Sequence, residues 1–384
     1  MDKEIIMINK IKEFAKENYE EALSVLRDLC AIPAPSWHEE ARAEYCKNYL
    51  EKLGAKGVYI DEALNTVYEY NCEGSNGITV FEAHTDTVFP DLAPLPYKET
   101  EDKIFCPGVH DDTANVVGML MIAKFYIENN IPANGGILFV CNSGEEGLGN
   151  LKGTRKIFEN YKGRVKQFVT FDSRLLRIVN SCVGSTRYEV TVTTNGGHSF
   201  NDFGNNNAIA ELASVINKIY AIEIPKFEGS VTTLNVGTIT GGTSVNTIAQ
   251  SASMLCEYRS NSEKCMSIMK EKFYDIFASV QREDIKVDVK VLGERPCASE
   301  ALDMARQNKL TDDCTNMIED VMKDKVSYAP GSTDCNIPLS VGIPAISVGL
   351  SVGGKMHTRE EWLDKKSLVP GMEIGIRCAI EICK

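Results

Sequence analysis

The sequence predicts an α/β protein. Its larger domain is a mixed, largely parallel sheet with helices on both faces, and a smaller domain is inserted into it. Three observations lead to this fold class. Short apolar runs that indicate buried strands, such as I-T-V-F-E-A, alternate with long helical stretches, as in βαβ units. From about Gly184 the pattern changes to alternation with period two, which is typical of a sheet with one solvated face. The length of 384 residues favours two domains over one.

In the first part of the chain, periodicity and helix-breaking residues indicate the elements. Residues 4–30 are predicted to form one helix, which the proline-containing stretch 33–35 ends. Ser36 and Glu39 form an S-x-x-E pattern, which predicts a capping box for a helix that runs through about residue 53. A buried helix is expected near 112–128. Five strands are expected, near 57–60, 66–70, 78–83, 136–142 and 166–171.

Residues 184–294 are predicted to form the inserted domain, between the two parts of the larger one at 1–183 and 295–384. The order of expected elements is β-α-β-β-α-β, the ferredoxin-like split unit. Its first strand is Y-E-V-T-V-T-T and its last is K-V-D-V-K-V. Between them the sequence predicts a helix at 208–219, strands at 231–239 and 251–258, and a helix at 263–282.

Composition and charge exclude several classes of protein. The net charge of -13 argues against nucleic acid or an anionic membrane as a partner. No apolar stretch approaches the ~20 residues of a membrane span, and the first twelve residues carry too many charges for a signal peptide. The thirteen cysteines are scattered and odd in number, which favours reduced thiols and a cytoplasmic location.

Polar residues of metal-ligating types follow several of the predicted strands. His84 ends I-T-V-F-E-A-H, Glu145 and Glu146 follow G-I-L-F-V-C-N-S-G, and Asp172 closes Q-F-V-T-F-D. His357 comes shortly after P-A-I-S-V-G-L. Active sites of open α/β sheets collect at the carboxyl ends of strands. These residues therefore predict a metal-dependent hydrolase site at one sheet edge.

Three short motifs support this hypothesis, although each also has a purely structural interpretation. In H-T-D, Asp86 points to the same side as His84 and can fix its tautomer. In H-D-D-T, Asp111 can bridge two metals, but acids also suit a helix N-terminus. In G-E-E-G, two adjacent acids after a buried strand need compensation, which a divalent cation supplies. One Glu would then bind metal while its neighbour takes a proton from water; otherwise the motif is a solvated loop.

Taken together, these motifs resemble those of a known family in order and spacing. The stretches F-E-A-H-T-D-T-V, D-D-T-A-N, G-E-E-G-L-G, F-D-S and M-H-T are similar to those of the co-catalytic dizinc metallopeptidases of clan MH. That group includes peptidase T, the glutamate carboxypeptidases, aminoacylases and succinyl-diaminopimelate desuccinylase. The resemblance covers nearly the whole chain, and it implies a zinc-peptidase-like catalytic domain with an inserted lid and dimerisation domain.

The resemblance also implies a role for each matching residue. His84 and Asp172 would hold one zinc ion, Glu146 and His357 the other, and Asp111 both. Asp86 would support His84 from behind, and Glu145 would act as the general base.

Three further residues match the family within the inserted domain. His198 lies in G-G-H-S-F, a turn whose histidine reaches a neighbouring subunit's active site in the family. Asn246 in G-G-T-S-V-N and Arg259 in C-E-Y-R-S match residues that bind substrate. Without the resemblance these would be glycine-rich turns and a strand-end arginine. Thr113 and His110 depart from the family, which often has lysine and a small residue at these positions.

The expected function is therefore metal-dependent hydrolysis of an amide bond. The favoured activity is that of a dipeptidase or tripeptidase with two Zn²⁺ per chain, for which Co²⁺ or Mn²⁺ could substitute. One alternative is a deacylase of N-acyl amino acids. A second is a metal-binding regulator without catalysis, against which the presence of Glu145 argues. The expected partners are a small peptide or N-acyl amino acid and a second copy of the chain.

Overall fold

The computed structural model describes residues 3–384, which fall into two compact units. The larger unit contains the described residues up to Cys182 together with Ala301–Lys384, and the smaller contains Val183–Glu300. The insert predicted at 184–294 lies within the smaller unit. We therefore propose Val183–Glu300 as the inserted domain.

The first part of the larger unit contains most of its central sheet. Its helices are α1 (Lys3–Glu17), α2 (Tyr19–Ala31), α3 (Glu40–Lys52), α4 (Ala114–Asn129) and α5 (Lys152–Asn160). Its strands are β1 (Tyr59–Ile60), β2 (Thr66–Tyr70), β3 (Ile78–His84), β4 (Lys98–Glu99), β5 (Lys103–Phe105), β6 (Gly136–Asn142), β7 (Val165–Thr170) and β8 (Arg177–Cys182). A single π-type turn, Val109–Thr113, leads into α4.

The smaller unit and the remainder of the larger one complete the chain. The smaller unit has strands β9 (Gly184–Thr194), β10 (Gly197–His198), β11 (Thr232–Gly241), β12 (Thr247–Ile248), β13 (Ser251–Ser260) and β14 (Ile285–Arg295), with helices α6 (Ala208–Tyr220) and α7 (Glu263–Ala278). The last part of the chain has helices α8 (Met304–Met322), α9 (Asn336–Ser340) and α10 (Leu368–Ile382) and strands β15 (Ser327–Gly331), β16 (Ala345–Val348), β17 (Gly353–Gly354) and β18 (Trp362–Asp364).

The central sheet of the larger unit is mixed and largely parallel, as predicted. Its strand order is β1-β2-β6-β3-β7-β16-β8-β15. The adjacent pairs β6–β3, β3–β7, β7–β16 and β8–β15 are parallel, and the remaining pairs are antiparallel. A second sheet, β17-β18-β5-β4, is entirely antiparallel.

Helices cover both faces of the central sheet, which explains why β3 is buried along its whole length. Successive side chains of a strand point to opposite faces. Phe81 therefore joins the large apolar core with α4 and α10, whereas the carboxylate of Glu82 faces α5, where Thr154 Oγ1 lies 2.5 Å away. On that second face the ring of Phe158 in α5 lies 6.0 Å from the ring of Phe168.

The smaller unit has the predicted β-α-β-β-α-β order, with the short β10–β12 pair added. Its four long strands form an antiparallel sheet in the order β11-β13-β9-β14. Alternate residues of β9 pack with α6 and α7 in a separate apolar core that contains Tyr188, Leu212 and Phe273. Among the described residues, no helix combines the length and apolar character needed to cross a membrane.

Two local predictions were wrong. The single helix expected over 4–30 is interrupted at Asn18, whose side-chain amide donates to the carbonyl of Phe14. The capping box is absent because α3 begins only at Glu40, after an N-cap residue that makes no side-chain capping bond. The hydroxyl of Ser36 instead donates to Asp86 Oδ2 at 2.6 Å. A hydroxyl forms a stronger hydrogen bond when it donates to an ionised carboxylate than when it accepts from a neutral backbone N–H, as it would in a capping box.

Candidate metal centre

Parallel pairing brings several candidate ligands to one edge of the central sheet. Strand β3 lies between β6 and β7 and is parallel to both. It ends at His84, whereas Glu145 and Asp172 follow the last residues of β6 and β7 within three residues. The carboxyl ends of these strands therefore deliver an imidazole and acidic side chains to the same place.

Asp111 lies between two imidazoles. Its Oδ1 is 3.2 Å from His84 Nε2, and its Oδ2 is 3.1 Å from His357 Nε2. His357 Nε2 is also 3.2 Å from Glu146 Oε1. One carboxylate thus touches both histidines, each through a different oxygen.

The possible ligand atoms form three overlapping groups, in each of which all atoms lie within 4.8 Å of one another. Asp111 is shared by two of the groups, and Glu146 and His84 also occur twice. The groups are His84, Asp111, Asp112 and Asp172; Asp111, Glu146 and His357; and His84, Glu145 and Glu146. The structure therefore brings together all five predicted ligands and the predicted base.

The donor set fits divalent metal ions. Glu146 Oε1 is buried without a hydrogen-bond partner, although it lies at ion-pair distance from His357 Nε2. The two atoms lie 3.2 Å apart, close enough to serve as ligands of one cation. Five carboxylates crowd around two imidazoles, which leaves an excess of negative charge that a divalent cation would compensate. Imidazole with carboxylate is a ligand combination that zinc accepts.

The electrostatics of the ligand set are strongly perturbed. Contacts with Asp111 and Glu146 raise the pKa of His357 to about 11. Burial raises the pKa of Glu146 to about 7, against the opposing effect of His357. Burial likewise raises the pKa of Asp172, and the neighbouring Glu145 and Asp111 add to the shift. Strongly shifted pKa values in one cluster of side chains are typical of functional sites.

Asp86 connects His84 to the loop that carries the two glutamates. Its Oδ1 lies 3.4 Å from His84 Nδ1, and its backbone oxygen lies 3.1 Å from the same nitrogen. With the proton of the ring on Nδ1, the lone pair of Nε2 faces Asp111. The same carboxylate accepts the backbone N–H of Glu145 and that of Glu146, both at 3.0 Å. Asp86 therefore positions both His84 and the loop that carries Glu145 and Glu146.

Asp112 is a buried acid of the site that the sequence did not single out. Its carboxylate accepts the backbone N–H of His84 at 3.0 Å and the side-chain amide of Asn115 at 2.6 Å. Burial raises its pKa well above the ordinary value. The peptide bond between Asp111 and Asp112 is cis. Asp112 thus fixes the backbone at the end of β3.

Glu361 is a second residue that the sequence did not single out. Its buried carboxylate accepts three backbone N–H groups, from Gly108 at 2.7 Å and from His110 and Asp111 at 2.8 Å each. It therefore positions the turn that carries Asp111, and it lies four residues after His357. The only signal in the sequence is an acid near a candidate ligand, which is too common to be specific.

We expect Glu361→Ala to weaken metal binding about 10–100-fold, which is the usual effect of removing a residue that orients the metal ligands through hydrogen bonds. Three backbone N–H groups would lose their acceptor, so Asp111 would no longer be held in place. Competition with a chromophoric chelator would measure the dissociation constants. The matched control is Glu360→Gln, at an exposed neighbour paired with Lys355, which should leave them unchanged. Equal affinities of Glu361→Ala and the unaltered protein would contradict the assigned role.

The remaining candidates lie in the smaller unit, and the structure brings only two of them together. His198 pairs with Thr247 in the β10–β12 ladder, and the N–H of Ser199 donates to the backbone oxygen of Asn246 at 3.0 Å. Arg259 lies near the far end of β13, roughly 25 Å along the strand from Ser251. Its guanidinium already forms two bonds with Glu257, at 2.8 and 3.1 Å.

Comparison with known proteins adds the family context. The sequence model of the family described as Peptidase family M20/M25/M40 matches residues 80–381. A protein named "Probable carboxypeptidase" from Ajellomyces capsulatus is 24% identical over 256 residues, which cover 60% of this chain and 59% of that protein. The match thus spans less than two thirds of that relative's length. A succinyl-diaminopimelate desuccinylase from Orientia tsutsugamushi is 29% identical over 151 residues, 36% of this chain and 37% of the relative.

Solved structures show the same fold over almost the whole chain. The crystal structure of aminopeptidase PepT from Bacillus cereus has a TM-score of 0.72 and 20% sequence identity. The superposition covers 96% of this chain and 99% of that one. It therefore includes most of both units.

Proposed function

The chain belongs to peptidase family M20/M25/M40, and we propose that it is a metal-dependent hydrolase of amide bonds, with dipeptides or tripeptides as substrates. The observation that carries this proposal is the position of Asp111 between His84 and His357, with Glu146 beside His357 and Glu145 next in the chain. This arrangement offers two adjoining cation sites, with the Glu145 carboxylate next to them.

We assign His84 and Asp172 to one ion, Glu146 and His357 to the other, and Asp111 to both. The overlapping groups of ligand atoms support this division, because Asp111 occurs in both of the relevant groups. Zinc is the proposed metal, and Co²⁺ or Mn²⁺ could replace it. When bound, the two ions supply Lewis acidity, which lowers the pKa of water and polarises an amide carbonyl.

Glu145 is the proposed general base. It is 5% exposed, and its backbone N–H is fixed by Asp86. Its carboxylate would take a proton from the attacking water and deliver it to the nitrogen of the leaving amine. Asp86 would act through His84 and through the backbone of Glu145, without touching the substrate. Both roles require only residues of the larger unit.

The main alternative is a deacylase of N-acyl amino acids. The relatives are named for different bonds: a carboxypeptidase, a desuccinylase and an aminopeptidase. They share hydrolysis of an amide, which supports the general reaction more strongly than any one substrate. A binding protein without catalysis would have no use for Glu145 beside its ligands.

A substrate library tests the proposal directly. Zinc-loaded protein should hydrolyse some dipeptides or tripeptides with a higher kcat/KM than the matching acetylated or succinylated amino acids. The Glu145→Gln variant, purified in parallel by the same procedure, controls for contaminating peptidases. A preference for acylated amino acids would favour the deacylase. If the metal-loaded protein hydrolysed neither class of substrate, the result would favour the metal-binding regulator without catalysis.

We further propose that Arg259 binds a substrate carboxylate, for which its planar fork is suited. Glu257 now occupies that fork, so a substrate would have to displace it. Arg259→Lys should raise KM for peptides with a free C-terminus more than for their amides. Glu257→Gln, which loosens the competing pair, should lower KM for the free acids. Equal effects of Arg259→Lys on acids and amides would assign Arg259 a structural role.

A homodimer through the smaller unit is also proposed, with His198 and Asn246 contacting substrate in the partner's site. His198 Nδ1 accepts the backbone N–H of Phe200 at 3.2 Å. The ring proton is therefore on Nε2, which can donate to a developing oxyanion. The edge strand β11 is largely exposed and leaves backbone groups open for a neighbouring chain.

Mixing a His198→Ala chain with a Glu145→Ala chain should restore part of the activity that each lacks alone. In a mixed dimer one site regains both groups, and the other site lacks both. Native mass spectrometry would establish that mixed dimers form, and each variant mixed with itself is the control. Mixed dimers without activity would place His198 in its own chain's site or outside catalysis.

We propose a cytoplasmic location. All thirteen cysteines are free and buried in the described residues. Reduced thiols are the rule in that compartment.

A further inference from the structure

Trp37 is a large exposed side chain whose backbone is tied to the candidate metal centre. It is 58% exposed, although the chain has only two tryptophans. The preceding residue, Ser36, donates to Asp86 Oδ2 at 2.6 Å and lies 3.2 Å from the backbone oxygen of Glu146. The position of Trp37 is therefore fixed relative to Glu146, one of the candidate ligands.

The backbone of Trp37 has a φ of 78°, in the left-handed region that favours glycine. A bulky residue persists there only when its surroundings hold it, and such positions cluster at ligand-binding sites. The indole N–H lies 3.4 Å from the backbone oxygen of Leu148, and the Lys152 ammonium lies 5.3 Å from the ring centroid. Lys152 is itself held by the backbone oxygen of Ala63 at 2.7 Å and by Ser143 Oγ at 2.8 Å.

Leu148 is the second exposed apolar side chain at this place. It is 54% exposed and lies in the turn Gly147–Gly149, directly after Glu146. Trp37 and Leu148, here called the apolar rim, are thus tied to each other and to the loop that carries the proposed base. An exposed aromatic ring held in one orientation loses little conformational entropy on binding and offers a large apolar surface.

We propose that the apolar rim binds the side chain or acyl group next to the scissile bond, and that it selects substrates with a large apolar group there. The inference rests on the proposed function, because it uses the same centre. It commits to a substrate class: peptides or N-acyl amino acids with a leucine-sized or aromatic group, in preference to glycine.

Substrate profiles of Trp37 variants test this directly. Trp37→Gly removes the ring and suits the backbone conformation, so the loop should keep its fold. The ratio of kcat/KM for leucyl over glycyl dipeptides should fall roughly tenfold or more, on the scale of apolar-pocket discrimination. Leu148→Ser should lower the same ratio, and Trp37→Phe should retain most of it. Val341→Ser, at a 61% exposed position outside the centre, is the control and should not change the ratio. An unchanged ratio in Trp37→Gly would overturn the proposal while leaving amide hydrolysis intact.

Tryptophan fluorescence gives a readout that does not require turnover. In zinc-loaded Glu145→Gln protein, Leu-Gly, Gly-Leu and N-acetyl-leucine are the probes, and Gly-Gly and N-acetylglycine are their controls. At least one of the leucine-containing probes should produce a saturable blue shift of the tryptophan emission. This shift should be absent from the double variant that also carries Trp37→Phe. This result would support the rim even if no substrate in the library were hydrolysed. Saturable binding of the leucyl probes without a spectral shift would overturn it.

Discussion

Glu145→Gln should lower turnover about 10²–10⁴-fold, the scale of general-base catalysis, while two metal ions remain bound. The amide keeps the size of the side chain and leaves the backbone bond to Asp86 in place, but it cannot accept the proton of the attacking water. The ligands His84, Asp111, Glu146 and their neighbours are unaffected. Initial rates on the best dipeptide of the library, with elemental analysis of the same sample, would measure both quantities.

The matched control is the adjacent residue, Glu146→Gln. It removes a charged ligand beside His357, so the protein should retain one ion per chain instead of two. The pair of variants therefore separates proton transfer from metal binding at consecutive positions. Normal turnover in Glu145→Gln, or an equal loss of metal from both variants, would show that the division of roles is wrong.

Removal of the metals should abolish hydrolysis and leave most of the fold intact. The central sheet is held by an apolar core that includes Phe81, Phe139 and Val169, and these side chains do not depend on the ions. Treatment with a chelator should eliminate turnover, while the far-ultraviolet circular dichroism spectrum remains close to that of the untreated protein. Readdition of zinc should restore activity and two ions per chain.

Asp111→Ala provides a genetic counterpart to chelation. Because Asp111 belongs to both ligand groups, its loss should weaken both sites, whereas loss of Asp172 should weaken only one. Elemental analysis and activity would be compared in the two variants. Only trace metal in zinc-loaded unaltered protein would refute the two-ion assignment.

The fold class, the β-α-β-β-α-β order and the ends of the central strands could be predicted from local sequence patterns. Strands such as Ile78–His84 are short, mostly apolar runs in the sequence. A residue that ends or follows such a run lies at the carboxyl end of a strand, and this does not depend on distant parts of the chain. His84, Glu145, Glu146 and Asp172 could be predicted for this reason. Asp111 and His357 required the order and spacing of known motifs, because they lie on loops.

The side chains that support these residues could be identified only in the folded chain. Glu361 accepts the N–H of Gly108 from a position 253 residues away, and Ser36 donates to Asp86 across 50 residues, in place of the predicted capping box. Arg259 is paired with Glu257 and lies near the end of β13 remote from Ser251. Local patterns record periodicity and turn chemistry, whereas a hydrogen bond between distant segments depends on how the whole chain packs. The conformation of Trp37 follows the same rule: its positive φ is held by contacts with Leu148 and Lys152, which no local pattern around residue 37 contains.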